Sequence, residues 1–338
     1  MTERSGPPHG QRTNGSPHRV GDVVRIGRVV VVRKTTAIEQ LVDHPDRKLE
    51  RMLHSDDPLV ARTKSAHEQH LRSVATVLDV LNRSGVEHRL VSTFNRNWAA
   101  WADLVLTVGG DGTFLRASHC IAATPDSDGT PMFGVNSASG TSVGFFCAAS
   151  AEEFEPLFQQ ILAGQLRSRG LWRLQVSLND KPLRDLALND VLLAHRVPAE
   201  TSRYTLSLDG VHQDQKSSGL WVATAAGSTA GIRAAGGKVQ EIDSRALQYR
   251  VRELMAWAVR GEPLMGGFTS DGLEIVSRMS TGMLYLDGAH RRASFGFGDR
   301  IRFEPSPRPL PWIAPASLDE KRQAQLAAQE AGKGIGTR

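Results

Sequence analysis

Residues 104–118 read LVLTVGGDGTFLRAS, an apolar run followed by a glycine-rich turn and a second apolar stretch. The first run is typical of a buried strand, and the residues after the turn are typical of a helix. A strand-to-helix turn places main-chain N–H groups at the start of the helix, where an anion is stabilised. The stretch therefore predicts a strand–turn–helix unit whose turn can hold phosphate, although a plain connector is the simpler alternative.

Four residues of the turn are candidates for that role. Gly109, Gly110 and Gly112 permit a positive φ and let a phosphate approach the main chain without a Cβ in the way. Asp111 follows the carboxyl end of a strand, which is where open α/β sheets bind ligands. A single carboxylate at that place can act on a bound ligand.

Three further polar residues accompany this turn. Thr113 can cap the helix, which is a structural role that needs no ligand. Arg116 lies one helical turn further on and can contact a ligand or lie on a solvated face. Asn136 ends the next strand and carries a donor and an acceptor, although it can equally bond within its own turn.

The first half of the chain alternates between strand and helix patterns. Strand patterns occupy 28–34, 88–92, 104–108 and 132–136. Helical spacing begins at 66, after a charged segment at 43–65 that is typical of a loop, and it covers Leu71, Val74, Ala75, Leu78 and Leu81. Such alternation predicts a Rossmann-like parallel sheet with helices on its faces.

The second half has a different sequence pattern. Ser150 and Glu153 fit a capping box that opens a helix, and short strand patterns separated by turn residues follow it. We therefore expect a disordered tail at 1–19, an α/β nucleotide-binding domain at 20–149 and a β-rich dinucleotide-binding domain from 150 to 290. We expect strands that return to the first domain at 291–314, and a tail at 315–338.

Composition excludes several classes of protein. The 338 residues are 40% apolar and 23% charged, as in a globular protein of two domains. We expect no membrane segment, because no apolar run approaches the length needed to cross a bilayer, and we expect a cytoplasmic protein, because no secretory pattern opens the chain. The net charge of +5 comes without a basic stripe interleaved with aromatic residues, so we expect no nucleic-acid partner.

Two segments of the second half carry polar residues in apolar surroundings. Asn189 and Asp190 interrupt DLALNDVLLAH at 185–195, where polar groups are costly unless they are paired. A carboxylate there can accept from ribose hydroxyls, and an amide can bind a base or sugar edge, although a turn or bulge is the alternative. A glycine- and hydroxyl-containing turn follows the strand pattern LWVATA at 220–225, and it comprises Ala226, Gly227, Ser228, Thr229, Ala230 and Gly231.

Four segments in one order resemble the NAD kinase family over residues 28 to 310: GGDGTFL at 109, GVNS at 134, ALND at 187 and TAAGSTAG at 224. The segments TAAGSTA, RAAGG and RALQYRVRE are most similar to the NADH kinase branch known from plants. Where family members usually have Asp–Gly, Pro–Thr and Tyr, this chain has Ser218–Gly219, Ala225–Ala226 and Gly231. Asp190 stands where Glu is frequent, and Ala289 stands where Gln is frequent in the late Asp–Gly turn.

The resemblance implies transfer of the γ-phosphoryl group of ATP to the 2′-hydroxyl of the adenosine ribose of NAD⁺ or NADH. It implies that Asp111 accepts the proton or holds Mg²⁺, and that its flanking glycines, Thr113 and Arg116 lie along the phosphates. It implies that Asn189, Asp190 and the turn at 226–231 hold the dinucleotide, and that the protein is a homodimer or homotetramer.

Two other functions are compatible with parts of the sequence. A diacylglycerol-type lipid kinase shares the GGDGT turn and the plan of two domains, but ALND and GSTAG speak against it. A non-catalytic nucleotide-binding regulator would explain the substitutions at 218–231, but the presence of Asp111 speaks against that reading.

Overall fold

The computed structural model describes residues 19–43, 55, 57–122, 127–138 and 144–332. The chain forms two compact units, the first comprising residues up to 169 together with 311–315 and the second comprising 170–310 and 316–338. Residues 1–18 of the expected N-terminal tail lie outside the described residues, as do residues 44–54 and 56 of the expected loop at 43–65.

Unit 1 is built on a seven-stranded sheet within the described residues, in the order β2-β1-β3-β4-β19-β6 with β5 beside β4. Its strands are β1 (Arg28–Arg33), β2 (Glu87–Val91), β3 (Leu104–Gly109), β4 (Met132–Asn136), β5 (Cys147–Ser150), β6 (Ser168–Leu171) and β19 (Leu310–Ile313). The pairs formed by β1 to β5, and the pair of β19 with β4, are parallel. The central strands β3 and β4 are buried along their whole length, as expected for a sheet covered on both faces.

The helices of unit 1 connect these strands. They are α1 (Ala37–Asp43), α2 (Pro58–Arg83), α3 (Arg96–Trp101), α4 (Asp111–Ser118) and α5 (Phe154–Leu162). Helix α2 begins eight residues before the expected start at 66, because Asp57 caps it by accepting from the Leu59 N–H and Pro58 occupies its first turn. Its buried face includes Val74 and Leu81 as expected, whereas Leu71 is 42% exposed.

Unit 2 is a sandwich of two six-stranded sheets that share one apolar core. One sheet has the order β11-β10-β15-β18-β7-β8 and the other β14-β13-β12-β9-β16-β17. Their strands are β7 (Leu174–Leu178), β8 (Lys181–Pro182), β9 (Asp190–His195), β10 (Ser202–Leu208), β11 (Val211–Ser217), β12 (Gly219–Ala223), β13 (Leu247–Arg252), β14 (Gly266–Thr269), β15 (Leu273–Ser277), β16 (Gly282–Leu286), β17 (Arg291–Phe295) and β18 (Arg300–Pro305).

Short helical segments complete unit 2. They are the 3-10 turns Ala226–Thr229 and Ala256–Ala258, α6 (Gly231–Ala234) and the C-terminal α7 (Ser317–Gly332). A Rossmann-like parallel sheet in the first unit and a β-rich second unit confirm the predicted fold class.

The limits of the two units differ from the expected domain limits in two places. Helix α5 belongs to unit 1, which extends to 169 rather than 149, because Phe154 packs edge-on against Phe133 of β4. The expected capping box is present, since Ser150 and Glu153 exchange main-chain to side-chain hydrogen bonds. Of the segment at 291–314, β17 and β18 stay in unit 2 because Phe295, Ile301 and Phe303 fill its core, and β19 alone of these three strands joins the parallel sheet.

Among the described residues, none of the helices is both long enough and apolar enough to span a lipid bilayer.

Candidate active site

The glycine-rich turn lies at the point where the parallel sheet changes direction. The chain leaves β1 for β2 on one side and then forms β3 on the other side of β1. The connections after β1 and β3 therefore diverge, and a crevice opens at the carboxyl ends of these strands, which is where such sheets bind ligands. This topology places residues 109–113 at the binding edge of unit 1.

The turn has an extended main chain, which differs from the positive φ that its glycines allow. Gly110 precedes α4 with φ −125° and ψ −170°, and neither Gly109 nor Gly112 is left-handed. Thr113 does not cap the helix as expected, because Asp111 is already its first residue. The Thr113 N–H donates to the Gly110 carbonyl oxygen at 2.9 Å. Glycine at these positions must therefore serve close approach rather than an unusual φ.

Two of the glycines have different surroundings. A Cβ on Gly109 would lie 2.4 Å from the Thr113 hydroxyl oxygen, so Gly109 permits tight packing of the strand end against the helix. A Cβ on Gly112 would meet nothing within 4 Å, and Gly112 is exposed. Since no contact within unit 1 requires glycine at 112, that position is suited to the approach of a ligand.

Asp111 is half-buried, and its carboxylate binds a neighbouring loop. Its Oδ1 accepts from the Phe146 N–H at 2.9 Å, and its Oδ2 accepts from the Phe145 N–H at 3.0 Å. Burial raises the pKa of Asp111 even though these two donors favour the charged form. A carboxyl group with a raised pKa is suited to accept a proton.

The other candidates of unit 1 lie at the same edge. The buried side chain of Asn136 accepts from the Ala138 N–H at 3.0 Å through Oδ1, so it does bond within its own turn. A Cβ on Gly144, which has φ +60°, would lie 2.6 Å from its Nδ2. Arg116 is exposed on α4, four residues after Gly112 and thus on the same helical face.

In unit 2, Asp287 organises the residues before β9. Its buried carboxylate accepts from the N–H groups of Leu188 at 2.8 Å, Asn189 at 2.7 Å and Asp190 at 3.1 Å. Asp287 itself has φ +50° and is followed by Gly288 with φ +106°. This network fixes the positions of Asn189 and Asp190.

The turn at 224–231 packs directly onto this segment. The Thr224 N–H donates to the Asn189 carbonyl oxygen at 2.9 Å, and a Cβ on Gly227 would lie 1.9 Å from that same oxygen. Only glycine fits such an approach between two main chains. Unit 2 thus brings together the two polar segments that were singled out in the sequence.

Burial also affects the side chains of Asn189 and Asp190. Burial, and then the negative charge of Asp287, raise the pKa of Asp190 to about 7, while a hydrogen bond from the Gly231 N–H acts in the opposite direction. Burial likewise raises the pKa of Asp287. Within the described part of the chain, the buried Oδ1 of Asn189 accepts no hydrogen bond.

The remaining residues of the turn differ in accessibility. Ala226, Gly227 and Ser228 are buried, and the Ser228 hydroxyl donates to the Ala225 carbonyl oxygen at 2.7 Å and accepts from the Gln240 N–H at 2.9 Å. Ser228 therefore uses its hydroxyl inside the protein. The half-buried residues of the turn, to which a ligand has access, are Thr229, Ala230 and Gly231.

A cavity of about 600 Å³ opens on the same sheet of unit 2. Its walls include Trp221, Tyr285 and Arg252 together with Ser218 and Ala289. The Trp221 ring lies 3.2 Å from the position that a Cβ on Gly231 would occupy. Of the positions at which the sequence departs from the common family pattern, Ser218 and Ala289 thus line this cavity and Gly231 lies against its Trp221 wall.

Residues 29–166 match the model of the ATP-NAD kinase N-terminal domain. A probable NADH kinase of Oryza sativa subsp. japonica is 36% identical over 64% of this chain and 72% of its own length. An NADH kinase of Arabidopsis thaliana is 34% identical over 69% of this chain and 79% of its own length. The chain belongs to the NAD kinase family.

The fold of a solved NAD kinase agrees with this assignment. The crystal structure of an NAD kinase from Archaeoglobus fulgidus in complex with ATP has a TM-score of 0.64 and 23% identity, covering 89% of this chain and 99% of that one. The resemblance to the plant NADH kinase branch is confirmed by the two plant relatives. These matches favour a kinase of the NAD kinase family over the lipid kinase and the non-catalytic regulator.

Two residues of unit 2 were not assigned a role from the sequence. Asp287 lies in the Asp–Gly turn LDGAH, whose D–G pair signals a turn but does not reveal that the carboxylate binds three N–H groups. Trp221 reads as an ordinary strand residue of LWVATA, and only the pairing of β12 with β9 places it opposite Leu192.

Proposed function

We propose that this protein is an ATP-dependent NAD(H) kinase, which transfers the γ-phosphoryl group of ATP to the 2′-hydroxyl of the adenosine ribose. The observation that carries the proposal is Asp111. It is a half-buried carboxylate with a raised pKa, and it begins a helix at the binding edge of the parallel sheet. Phosphoryl transfer requires mainly positioning, charge neutralisation and one group that orients or deprotonates the attacking hydroxyl.

In this proposal unit 1 binds the phosphates of ATP and accepts the proton of the attacking hydroxyl. Asp111 accepts the proton of the 2′-hydroxyl as the oxygen attacks the γ-phosphorus, and ADP leaves with the bridging oxygen. The phosphates approach along Gly112, where no neighbouring atom excludes them. The exposed Arg116 on the same face of α4 supplies a positive charge to them.

Unit 2 holds the dinucleotide. In this proposal the side-chain amide of Asn189 binds a base or sugar edge, and the carboxylate of Asp190 accepts from ribose hydroxyls. Thr229, Ala230 and Gly231 are the accessible residues that border it. Ala226, Gly227 and Ser228 act by holding this border against the segment that contains Asn189.

The metal required is the Mg²⁺ that ATP carries. Among the described residues, no group of three or more His, Cys, Asp or Glu side chains forms a metal site. This fits Mg²⁺, which is commonly held by one or two carboxylates and the substrate phosphates. Asp111 is the carboxylate that would contact it, and the ion would neutralise the charge that develops on the phosphates.

Two broader features are part of the proposal. A homodimer or homotetramer is a prediction from the resemblance to the NAD kinase family. A cytoplasmic location is a prediction from the sequence, and fractionation of cells that express the tagged protein would test it.

The deciding experiment is a coupled assay with the purified protein, either NADH or NAD⁺ as acceptor, and either ATP or polyphosphate as donor. We expect ATP- and Mg²⁺-dependent formation of NADPH or NADP⁺. Diacylglycerol and sphingoid bases serve as competing acceptors in parallel reactions. Phosphorylation of lipid without any NADP(H) would overturn the proposal.

A further inference from the structure

The end of β1 carries a polar cluster that has no assigned role. The Arg33 guanidinium donates to Glu39 Oε1 at 2.5 Å, and the Thr36 N–H and hydroxyl donate to Glu39 Oε2 at 2.8 and 3.1 Å. The Thr36 hydroxyl also forms a hydrogen bond of 2.7 Å with His67 Nδ1. The charge of Arg33 is therefore compensated within the cluster.

Lys34 differs from Arg33 in this respect. Its side chain is half-buried, and no carboxylate among the described residues lies within salt-bridge distance of it. Burial lowers the pKa of its ammonium group. Partial removal of a cation from water without a counter-ion is unfavourable, so an anion supplied from outside would stabilise it.

His70 of α2, whose imidazole is close enough to Lys34 to feel its charge, carries no charge of its own at neutral pH. His70 of α2 is fully buried, and burial together with the positive charges of Lys34 and Arg33 lowers the pKa of its imidazole to about 4. His70 is therefore neutral at neutral pH. Lys34 is the uncompensated positive charge at this end of β1 among the residues that the structure describes.

The position of Lys34 in the sheet relates it to the glycine-rich turn. Arg33 is opposite Val108 in the β1–β3 ladder, and the Lys34 N–H donates to the Val108 carbonyl oxygen at 3.2 Å. Lys34 is thus level with Gly109, which is in turn opposite Asn136 of β4. Three strand ends lie side by side at the edge where Asp111 begins its helix.

We propose that Lys34 binds the phosphate chain of the nucleoside triphosphate donor. The Lys34 main chain lies beside the strand end that leads into the glycine-rich turn, whose main chain is open to phosphate at Gly112, and its ammonium group supplies a point charge. This assignment rests on the proposed kinase function, because it names the residue that neutralises the donor. It predicts that the Lys34 charge stabilises a triphosphate much more than a monophosphate.

The test compares three variants of the full chain. Lys34→Gln removes the charge but keeps a similar length, Lys34→Arg keeps the charge, and Lys64→Gln makes the same charge change at an exposed position of α2. Isothermal titration calorimetry measures the binding of a non-hydrolysable ATP analogue and of AMP, and initial rates give KM for ATP and for NADH.

In Lys34→Gln, we expect analogue binding to weaken roughly 10- to 100-fold, as for the loss of one charge-assisted contact. We expect AMP binding to change less than about twofold, because AMP lacks the β- and γ-phosphates that Lys34 is proposed to bind. KM for ATP should rise while KM for NADH stays near the wild-type value. Lys34→Arg should retain most of the binding, and Lys64→Gln should behave as wild type.

Two results would overturn the assignment: unchanged analogue binding in Lys34→Gln, or an equal loss of analogue and AMP binding. The kinase proposal fails separately, if the wild-type protein phosphorylates neither NADH nor NAD⁺. In that case the calorimetry with the ATP analogue still decides whether Lys34 binds phosphate.

Discussion

At the scale of single residues, Asp111 has a structural contact and a proposed chemical role at the same time. Both of its oxygens accept main-chain N–H groups of the loop at 145–146. Each oxygen keeps a further lone pair, so a substrate hydroxyl or a metal ion can still bind the carboxylate. The two roles can be separated by a substitution that keeps the shape and removes the charge.

The first prediction is that Asp111→Asn lowers kcat roughly 100- to 10,000-fold, the range for loss of a general base. The amide still accepts one of the two hydrogen bonds, and its NH₂ group faces the other N–H. We therefore expect a loss of about 1–3 kcal/mol in the free energy of unfolding. Calorimetric binding of NADH should change little. Near-normal turnover would refute the assigned role.

The second prediction concerns the buried carboxyl group of Asp190. Because its pKa is raised to about 7, the folded protein holds this proton over a pH range in which the unfolded chain, with an ordinary Asp pKa, has lost it. This group therefore makes the protein less stable as pH rises from about 4 to about 7. Asp190→Asn should remove this part of the decline, which is worth up to roughly 4 kcal/mol.

Urea unfolding at pH 5 and pH 8 checks the second prediction. The free-energy difference between the two pH values should be smaller in Asp190→Asn than in wild type. The exposed Asp271 provides a control, since Asp271→Asn should leave the difference as it is. An identical pH dependence in wild type and Asp190→Asn would show that the carboxyl group has an ordinary pKa.

At the scale of elements, the site of unit 2 depends on the turn at 224–231, which packs against the segment that leads into β9. The Asn189 carbonyl oxygen accepts from Thr224, and the Gly227 backbone approaches it so closely that a Cβ has no space. The side chain of Asn189 and the accessible residues 229–231 are held in place by this contact. Changing the contact should therefore affect dinucleotide binding through position rather than through chemistry.

The third prediction compares two glycines. Gly227→Ala should destabilise the protein by about 1–3 kcal/mol or more, because overpacking forces the two main chains apart. Gly112→Ala should instead stabilise α4 by roughly 0.5–1 kcal/mol, because no atom lies near the new methyl group. Thermal unfolding of both variants measures these shifts, and equal shifts of the same sign would contradict the account.

The two variants Gly112→Ala and Gly227→Ala also test ligand binding. Gly112→Ala should bind the ATP analogue more weakly than wild type despite its greater stability, since its methyl group lies where the phosphates approach. Gly227→Ala should bind NADH more weakly because it displaces Asn189. Tighter binding of the ATP analogue to Gly112→Ala would show that the phosphates do not pass this position.

The sequence predicts elements better than contacts. The β-branched run at 28–34 and the apolar stretch before GGDGT lead to β1 and β3 because local composition decides buried parallel strands. It does not predict that Leu71 is exposed, since this depends on how α2 packs. The ladder register that sets Lys34 beside Gly109 and the pairing that sets Trp221 opposite Leu192 are long-range, and no local pattern contains them.

At the scale of the whole molecule, the departures from the common family sequence concentrate in unit 2. Ser218 and Ala289 line the cavity, and Gly231 lies against its Trp221 wall. The turn and carboxylate of unit 1, by contrast, keep the family pattern GGDGT. Under the proposed function, the chemistry of transfer is kept and the recognition of the acceptor is altered.

The fourth prediction follows from the charge at position 218. The oxidised nicotinamide ring is a cation and the reduced ring is neutral, so a carboxylate in the cavity favours NAD⁺ through its charge. Ser218 lacks that charge, and we expect kcat/KM for NADH to equal or exceed that for NAD⁺. Ser218→Asp should shift the ratio toward NAD⁺ by roughly two- to fivefold, as for a partly exposed ion pair.

Coupled assays with both acceptors measure this ratio at two salt concentrations. Because the shift is electrostatic, it should shrink at high salt. Ser280→Asp adds the same charge at an exposed position away from the cavity walls, and it should leave the ratio unchanged. An equal shift in both variants would mean that net charge, rather than the cavity, selects the acceptor. No shift in either would mean that the nicotinamide ring does not reach Ser218.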